Sequence, residues 1–225
     1  MKLLVFDTCF NKSYITLREN NEIIETRIIK SDDTNYHSAY LIPEIRNILK
    51  RNNLLMNDID ALGVNIGPGS FTGIRASITI ARVLAQQTNA KIVGVPSLEV
   101  LSKINKSEKD TLVITDARKN KVYIGLYSKQ NKILISPKLE EKENIFSYIN
   151  DNIFIITDAT INEFLKEKDK TSTIYEDCND NIGLYLSEIA YNKLLQQEED
   201  YHWAKVKPLY IQQPSITRPK ENKNV

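Results

Sequence analysis

Seven consecutive residues, Gly67-Pro68-Gly69-Ser70-Phe71-Thr72-Gly73, carry the densest chemical signal in the chain. With Gly63 they hold four of its seven glycines. Glycine lets a backbone take positive φ and come close to a ligand. The segment stands between an apolar run and a long helical pattern, and a helix start offers free N–H groups and a partial positive charge to an anion. A phosphate- or anion-binding turn, built from Gly67, Gly69, Ser70, Thr72 and Gly73, is therefore one reading. It lacks the Gly-Lys-Ser/Thr of a Walker loop, and Pro68 removes one donor. The other reading is a tight strand-to-helix turn capped by Ser70 or Thr72.

Asp7-Thr8 ends the apolar opening Leu3-Leu4-Val5-Phe6. A carboxylate at that edge could hold a metal-bound water near a phosphate, or cap its own turn. Set beside the glycine-rich turn, it suggests the cleft of an actin- or hexokinase-like two-lobed fold. Asp116-Ala117-Arg118 precedes Lys119-Asn120. That triplet reads either as a counterpart of Asp7 in a second lobe or as an ion pair closing a turn. What is missing weighs against an active site. His37 and His202 are the only histidines, far apart, and no GxSxG elbow or Gly-Gly pair occurs. No residue cluster has metal-ligand spacing.

The elements that must position these residues follow from periodicity. Strands are expected over residues 2–8, 12–18 and 22–29, the last two joined by an Asn20-Asn21 turn. A helix follows over 37–50, then a strand over 61–66, a long helix over 72–88, a strand over 91–95 and a helix over 97–104 capped by Ser97. The second half repeats the start with strands over 111–115, 122–127 and 132–135. A helix over 140–149, a strand over 153–157 and helices over 161–166 and 182–196 complete it. A hairpin start followed by βα alternation implies an α/β fold with a mixed sheet, its parallel part between helices. The lysine-rich stretch 103–110 is the best lobe boundary. It gives a first lobe over 1–104, a smaller second lobe over 105–207 and a tail over 208–225.

Along the helix from Thr72, Ile74, Ile78, Ala81 and Ala85 lie together at 100° per residue, and Ile80, Val83 and Leu84 widen the arc. The polar strip is Arg75, Thr79, Arg82 and Gln86. This is more apolar surface than packing on a sheet requires. Either it is all buried against the sheet and a neighbouring helix, or Ile74, Ile78, Ala81 and Ala85 also meet a second chain, with Arg75 and Arg82 at the rim.

Composition sets the outer bounds. The 225 residues carry a formal charge of +1, too even a balance for a broad nucleic-acid or membrane field. Cys9 and Cys178 are two lone thiols, which suit a reducing cytosol. No apolar run approaches the roughly 20 residues of a membrane span, so a soluble cytoplasmic protein is expected. The C-terminal stretch carries Lys205, Lys207, Arg218, Lys220 and Lys223 against Glu221. It reads as a solvated arm or as a contact for RNA phosphates.

Together these residues resemble the bacterial TsaB (YeaZ) family, a subunit of the machinery that makes threonylcarbamoyladenosine in tRNA. The matching pieces are Leu3-Leu4-Val5-Phe6-Asp7-Thr8, the run from Gly67 through Gly73-Ile74-Arg75, Gly94-Val95-Pro96-Ser97-Leu98, Asp116 to Tyr123, and Pro208-Leu209-Tyr210-Ile211 as a closing strand. The resemblance implies a two-lobed actin-like, sugar-kinase and heat-shock (ribonuclease H-like) fold with a reduced second lobe. It implies a non-catalytic scaffold that binds the transferase TsaD through first-lobe helices, with the ATPase TsaE joining, and that self-pairs when alone. In TsaD-type chains a metal-binding His pair opens the helix after the strand that here spans 91–95. Here that helix reads Pro96-Ser97-Leu98-Glu99-Val100-Leu101-Ser102, so no metal and no cofactor beyond weak ATP or ADP binding is expected. tRNA would be reached only through the complex. The alternatives are an ATP-binding kinase-like enzyme, which the absent second glycine turn opposes, and a metallopeptidase-like protein, which the absent histidines oppose.

Overall fold

The computed structural model describes residues 1–29, 37–196 and 200–212. The apolar opening forms β1 (Lys2–Asp7), which pairs antiparallel with β2 (Ser13–Glu19), and β2 pairs antiparallel with β3 (Glu22–Ile29). The Glu19–Glu22 pair closes around Asn20, whose φ of 52° is left-handed, a conformation that asparagine tolerates. β4 (Ala61–Gly67) and β5 (Lys91–Pro96) run parallel to β1 and complete a sheet of order β3-β2-β1-β4-β5. The second half repeats the plan. β6 (Asp110–Arg118), β7 (Lys121–Tyr127) and β8 (Ile133–Glu141) form an antiparallel meander, with β9 (Ile153–Thr157) parallel to β6 and β10 (Thr173–Ile174) parallel to β9. The resulting order is β10-β9-β6-β7-β8.

β1 is apolar throughout because both of its faces are covered. Leu4 and Phe6 join Leu62, Val64 and Ile92 beneath α1 (His37–Arg51) and α2 (Phe71–Thr88). Leu3 and Val5 face the other way, into a core shared with Val93, Val95, α3 (Ser97–Ser102), α5 (Ile182–Gln196) and Val113, Tyr127 and Ile156 of the second sheet. α5 belongs to the second half in sequence but packs on β1, β2 and β5. It sits so close that a Cβ on Gly63 would lie 2.9 Å from Ala190 Cβ. The outer face of the second sheet, with Leu112, Ile114, Val122 and Ile124, takes Ile161 and Leu165 from α4 (Ala159–Lys166).

Three elements differ from the sequence reading. The helix expected over 140–149 is the end of β8 followed by a 3-10 turn over Lys142–Tyr148. Pro137 does not end the strand, because β8 is an edge strand and its register against β7 slips between Ile124 and Leu126; edges and bulges are where a strand accepts proline. Ser97 does not cap α3: Pro96 holds the N-cap position without a side-chain bond. The closing strand expected at Pro208-Leu209-Tyr210-Ile211 is a strap, joined to β4 by the Leu209 N–H to Ile66 C=O bond of 2.8 Å. Arg218, Lys220, Glu221 and Lys223 of the expected arm lie outside the described residues. Among the described residues no helix is long and apolar enough to cross a membrane.

Candidate functional site

β1, β4 and β5 end side by side, the place where open α/β sheets bind ligands. Asp7 closes β1 and is fully buried. Its carboxylate accepts the Cys9 N–H at 2.6 Å and the Asn65 Nδ2–H at 3.3 Å. Burial lifts the Asp7 carboxyl from an ordinary 3.8 to about 6, against those hydrogen bonds, which pull it down. Asn65 extends the network, its Oδ1 accepting from Gly67 N–H at 2.9 Å and from the Ser97 hydroxyl at 2.7 Å. Sequence reasoning missed Asn65 and misread Ser97. The signal was an amide inside the apolar run Ala61 to Ile66, since a polar side chain buried there must be hydrogen-bonded.

The glycine-rich turn follows β4 directly. Gly67 takes φ 97° and the Gly67-Pro68 peptide is cis. Of the two readings open in the sequence, the structure shows capping by Ser70, whose Oγ accepts the Gly73 N–H at 3.2 Å. The glycines serve a close approach to the chain's own backbone. A Cβ on Gly73 would lie 1.8 Å from Thr8 O, and one on Gly69 would lie 3.0 Å from Cys9 O. Ser70 N–H donates to Cys9 C=O at 3.0 Å, and the Thr8 hydroxyl donates to Gly73 C=O at 2.6 Å. Thr8 and Cys9 thus back the turn on one side, while Gly69 and Ser70 remain exposed on the other. Thr72 is exposed in the first turn of α2.

A cleft of about 950 Å³ opens between this turn and the second sheet, lined by Ser70, Phe71 and Thr72 on one side and by Asp116, Arg118, Asp158 and Glu176 on the other. Asp116 and Arg118 form no ion pair; the turn is closed by Arg118 N–H donating to Asp116 Oδ1 at 3.2 Å. The Asp116 N–H is itself held by Asp158, which also caps α4 through Ile161 N–H. Burial raises both the Asp158 and Glu176 carboxyls. Among the described residues, no group of three or more His, Cys, Asp or Glu is placed to hold a metal ion.

α2 corrects the interface expectation. Ile74, Ile78, Ala81 and Ala85 are 0–5% exposed, packed beneath the helix on the first sheet, so the wide apolar arc is consumed by the fold and these four cannot meet a partner. Open instead are Phe71 and Val83, 45% and 53% exposed, with Ile80 and Leu84 half-buried. α1 adds Tyr40 and Ile42, 55% and 58% exposed. Arg75, which lies over Phe71, is exposed, and Arg82 is half-buried.

Two sheets of one plan, sharing a core and enclosing a cleft at the ends of the parallel strands, define a two-lobed α/β protein of the ribonuclease H-like, actin and sugar-kinase kind. The family model described as "TsaD: tRNA N6-adenosine threonylcarbamoyltransferase" matches residues 31–216. The chain is 33% identical over 175 residues to the tRNA threonylcarbamoyladenosine biosynthesis protein TsaB of Bacillus subtilis, covering 76% of this chain and 68% of that one. It is 26% identical over 221 residues to the TsaB of Buchnera aphidicola subsp. Baizongia pistaciae, covering 93% and 97%. The solved structure of YeaZ from Pseudomonas aeruginosa superposes with a TM-score of 0.74 at 19% identity, covering 93% of this chain and all of that one. The chain belongs to the TsaB (YeaZ) family.

Proposed function

We propose that this chain is a non-catalytic activating subunit in the making of threonylcarbamoyladenosine in tRNA, a cytoplasmic scaffold that holds a TsaD-type transferase, with a TsaE-type ATPase joining the pair. The observation that carries this reading is how much of the turn and of Asp7 is engaged by the chain itself. Gly73 is packed against the Thr8 carbonyl, Ser70 occupies the Gly73 N–H, and Asp7 has both carboxylate oxygens engaged within the fold. A reaction needs groups free to touch substrate, and here Asp7 and Thr8 are buried and spent on packing. The relatives, named as tRNA threonylcarbamoyladenosine biosynthesis proteins, supply the pathway.

We place the docking face on the open sides of α2 and α1, where Val83, Tyr40 and Ile42 are exposed and Ile80 and Leu84 half-buried. Apolar side chains left open on helices are ordinary material for a protein interface. The same face would serve self-pairing when the transferase is absent. The test is co-expression with the transferase subunit. Wild type and Ile42→Asp, Val83→Asp double-variant chains are compared by pull-down and by size-exclusion chromatography. The reading expects the wild type to co-purify with the transferase and the variant to lose it while keeping its melting temperature. A wild-type chain that fails to co-purify would overturn it.

The cleft favours a second, subordinate reading. Its volume and the cationic Arg118 and Lys119 on one wall leave room for weak ATP or ADP binding without turnover. Calorimetry with ATP and Mg²⁺ should show at most weak binding, and a tight one-to-one complex would instead revive a kinase.

A further inference from the structure

We propose that the edge of α2 facing the C-terminal strap is an RNA-binding strip. α2 and the strap, residues 201–212, contain no Asp or Glu, in a chain with 29 of them. They carry four cations, Arg75, Arg82, Lys205 and Lys207, and among the described residues none of the four lies within ion-pair distance of a carboxylate, although eleven ion pairs form elsewhere. Asp200, just before the strap, is turned to the His202 N–H at 3.0 Å.

The arginines are braced on rings. Arg75 lies 3.8 Å over Phe71 and donates from Nε to Tyr210 OH at 2.9 Å; Arg82 lies 5.6 Å from the Trp203 ring centre. Phe71 and Tyr210 stay 45% and 47% exposed. Lys205 and Lys207 project outward on either side of buried Val206, which anchors the strap in the core beneath α2. Cations with no protein counter-charge, alternating with half-open aromatic faces, match a phosphate backbone with unstacked bases. An acidic peptide would answer the charges but leave the rings unused. A net charge of +1 conceals the strip because the acids lie elsewhere.

The proposed protein-docking edge, Ile80 and Leu84, lies on the other side of the exposed α2 face, so both contacts can form together. The choice of tRNA as probe rests on the function proposed above; the strip itself does not. The experiment is fluorescence anisotropy of an unmodified, labelled tRNA transcript with the full chain across a salt series, with transferase pull-down run in parallel. Four phosphate contacts predict a log–log salt slope of about −3, and Lys205→Ala with Lys207→Ala should flatten it by about 2. Tyr210→Ala should weaken binding about tenfold at fixed salt with the slope kept. All three substitutions should leave transferase pull-down intact. The proposal is overturned by a wild-type chain that does not bind tRNA, by variants that bind it as tightly as wild type, or by variants that lose the transferase too, which would make the strip a protein-docking surface. A wild-type chain that binds tRNA but not the transferase would sink the scaffold reading and leave this one standing.

Discussion

Asp7 is held in the fold at a cost that pH can reveal. Burial raises its carboxyl to about 6, so the folded state binds a proton more readily than the unfolded chain between about pH 4 and 6. Stability from this group is fully present below the unfolded value and is lost as pH rises through the folded one. Asp7→Asn removes the titration. The stability of wild type relative to the variant should therefore fall by about 3 kcal/mol from pH 3.5 to 7, measured by urea unfolding at each pH; a difference that stays flat would contradict the assignment. Gly73 is a second residue whose role is steric. Gly73→Ala would drive a methyl to within 1.8 Å of the Thr8 carbonyl oxygen, and because the obstacle is backbone, destabilisation of about 3 kcal/mol is expected by denaturant titration. Loss of under 1 kcal/mol would mean that the turn is free to open for a ligand.

At the scale of elements, α2 separates folding from docking. Ile78→Asp puts a carboxylate beneath the helix at a position 3% exposed and should cost about 4 kcal/mol. Val83→Asp, on the open face, should change unfolding free energy by less than about 0.5 kcal/mol, as calorimetric melting can check. The helix itself was legible from its period, as were β1, β4, β5 and the duplicated plan, because burial on both faces writes apolar runs into the sequence. Which side of its wide arc stays open was not legible, since that depends on the width of the sheet beneath and on the strap beside it. The same holds for β8, where Ser136-Pro137 looks like an end until a neighbouring strand shows the slip in register. Of the candidate site, Asp7 and the glycine turn could be found by residue type. Asn65 and Ser97 could not be joined to them, because the strand ends that bring them together lie far apart in the chain.

At the scale of the molecule, the two sheets share one buried core through α3 and α5, tied further by Lys103–Glu188 at 2.9 Å and Lys193–Glu99 at 3.0 Å. Lobes joined in this way cannot part without exposing Val93, Val113 and Leu186, so scanning calorimetry should record one cooperative transition with matching calorimetric and van't Hoff enthalpies; two resolved transitions would contradict a single core. The direct test is the amount of threonylcarbamoyladenosine formed in tRNA by purified transferase with this chain present, with it absent, and by this chain alone. The account predicts stimulation of about tenfold or more on addition and no product from the chain alone; product formed without the transferase, or a transferase indifferent to the addition, would contradict it.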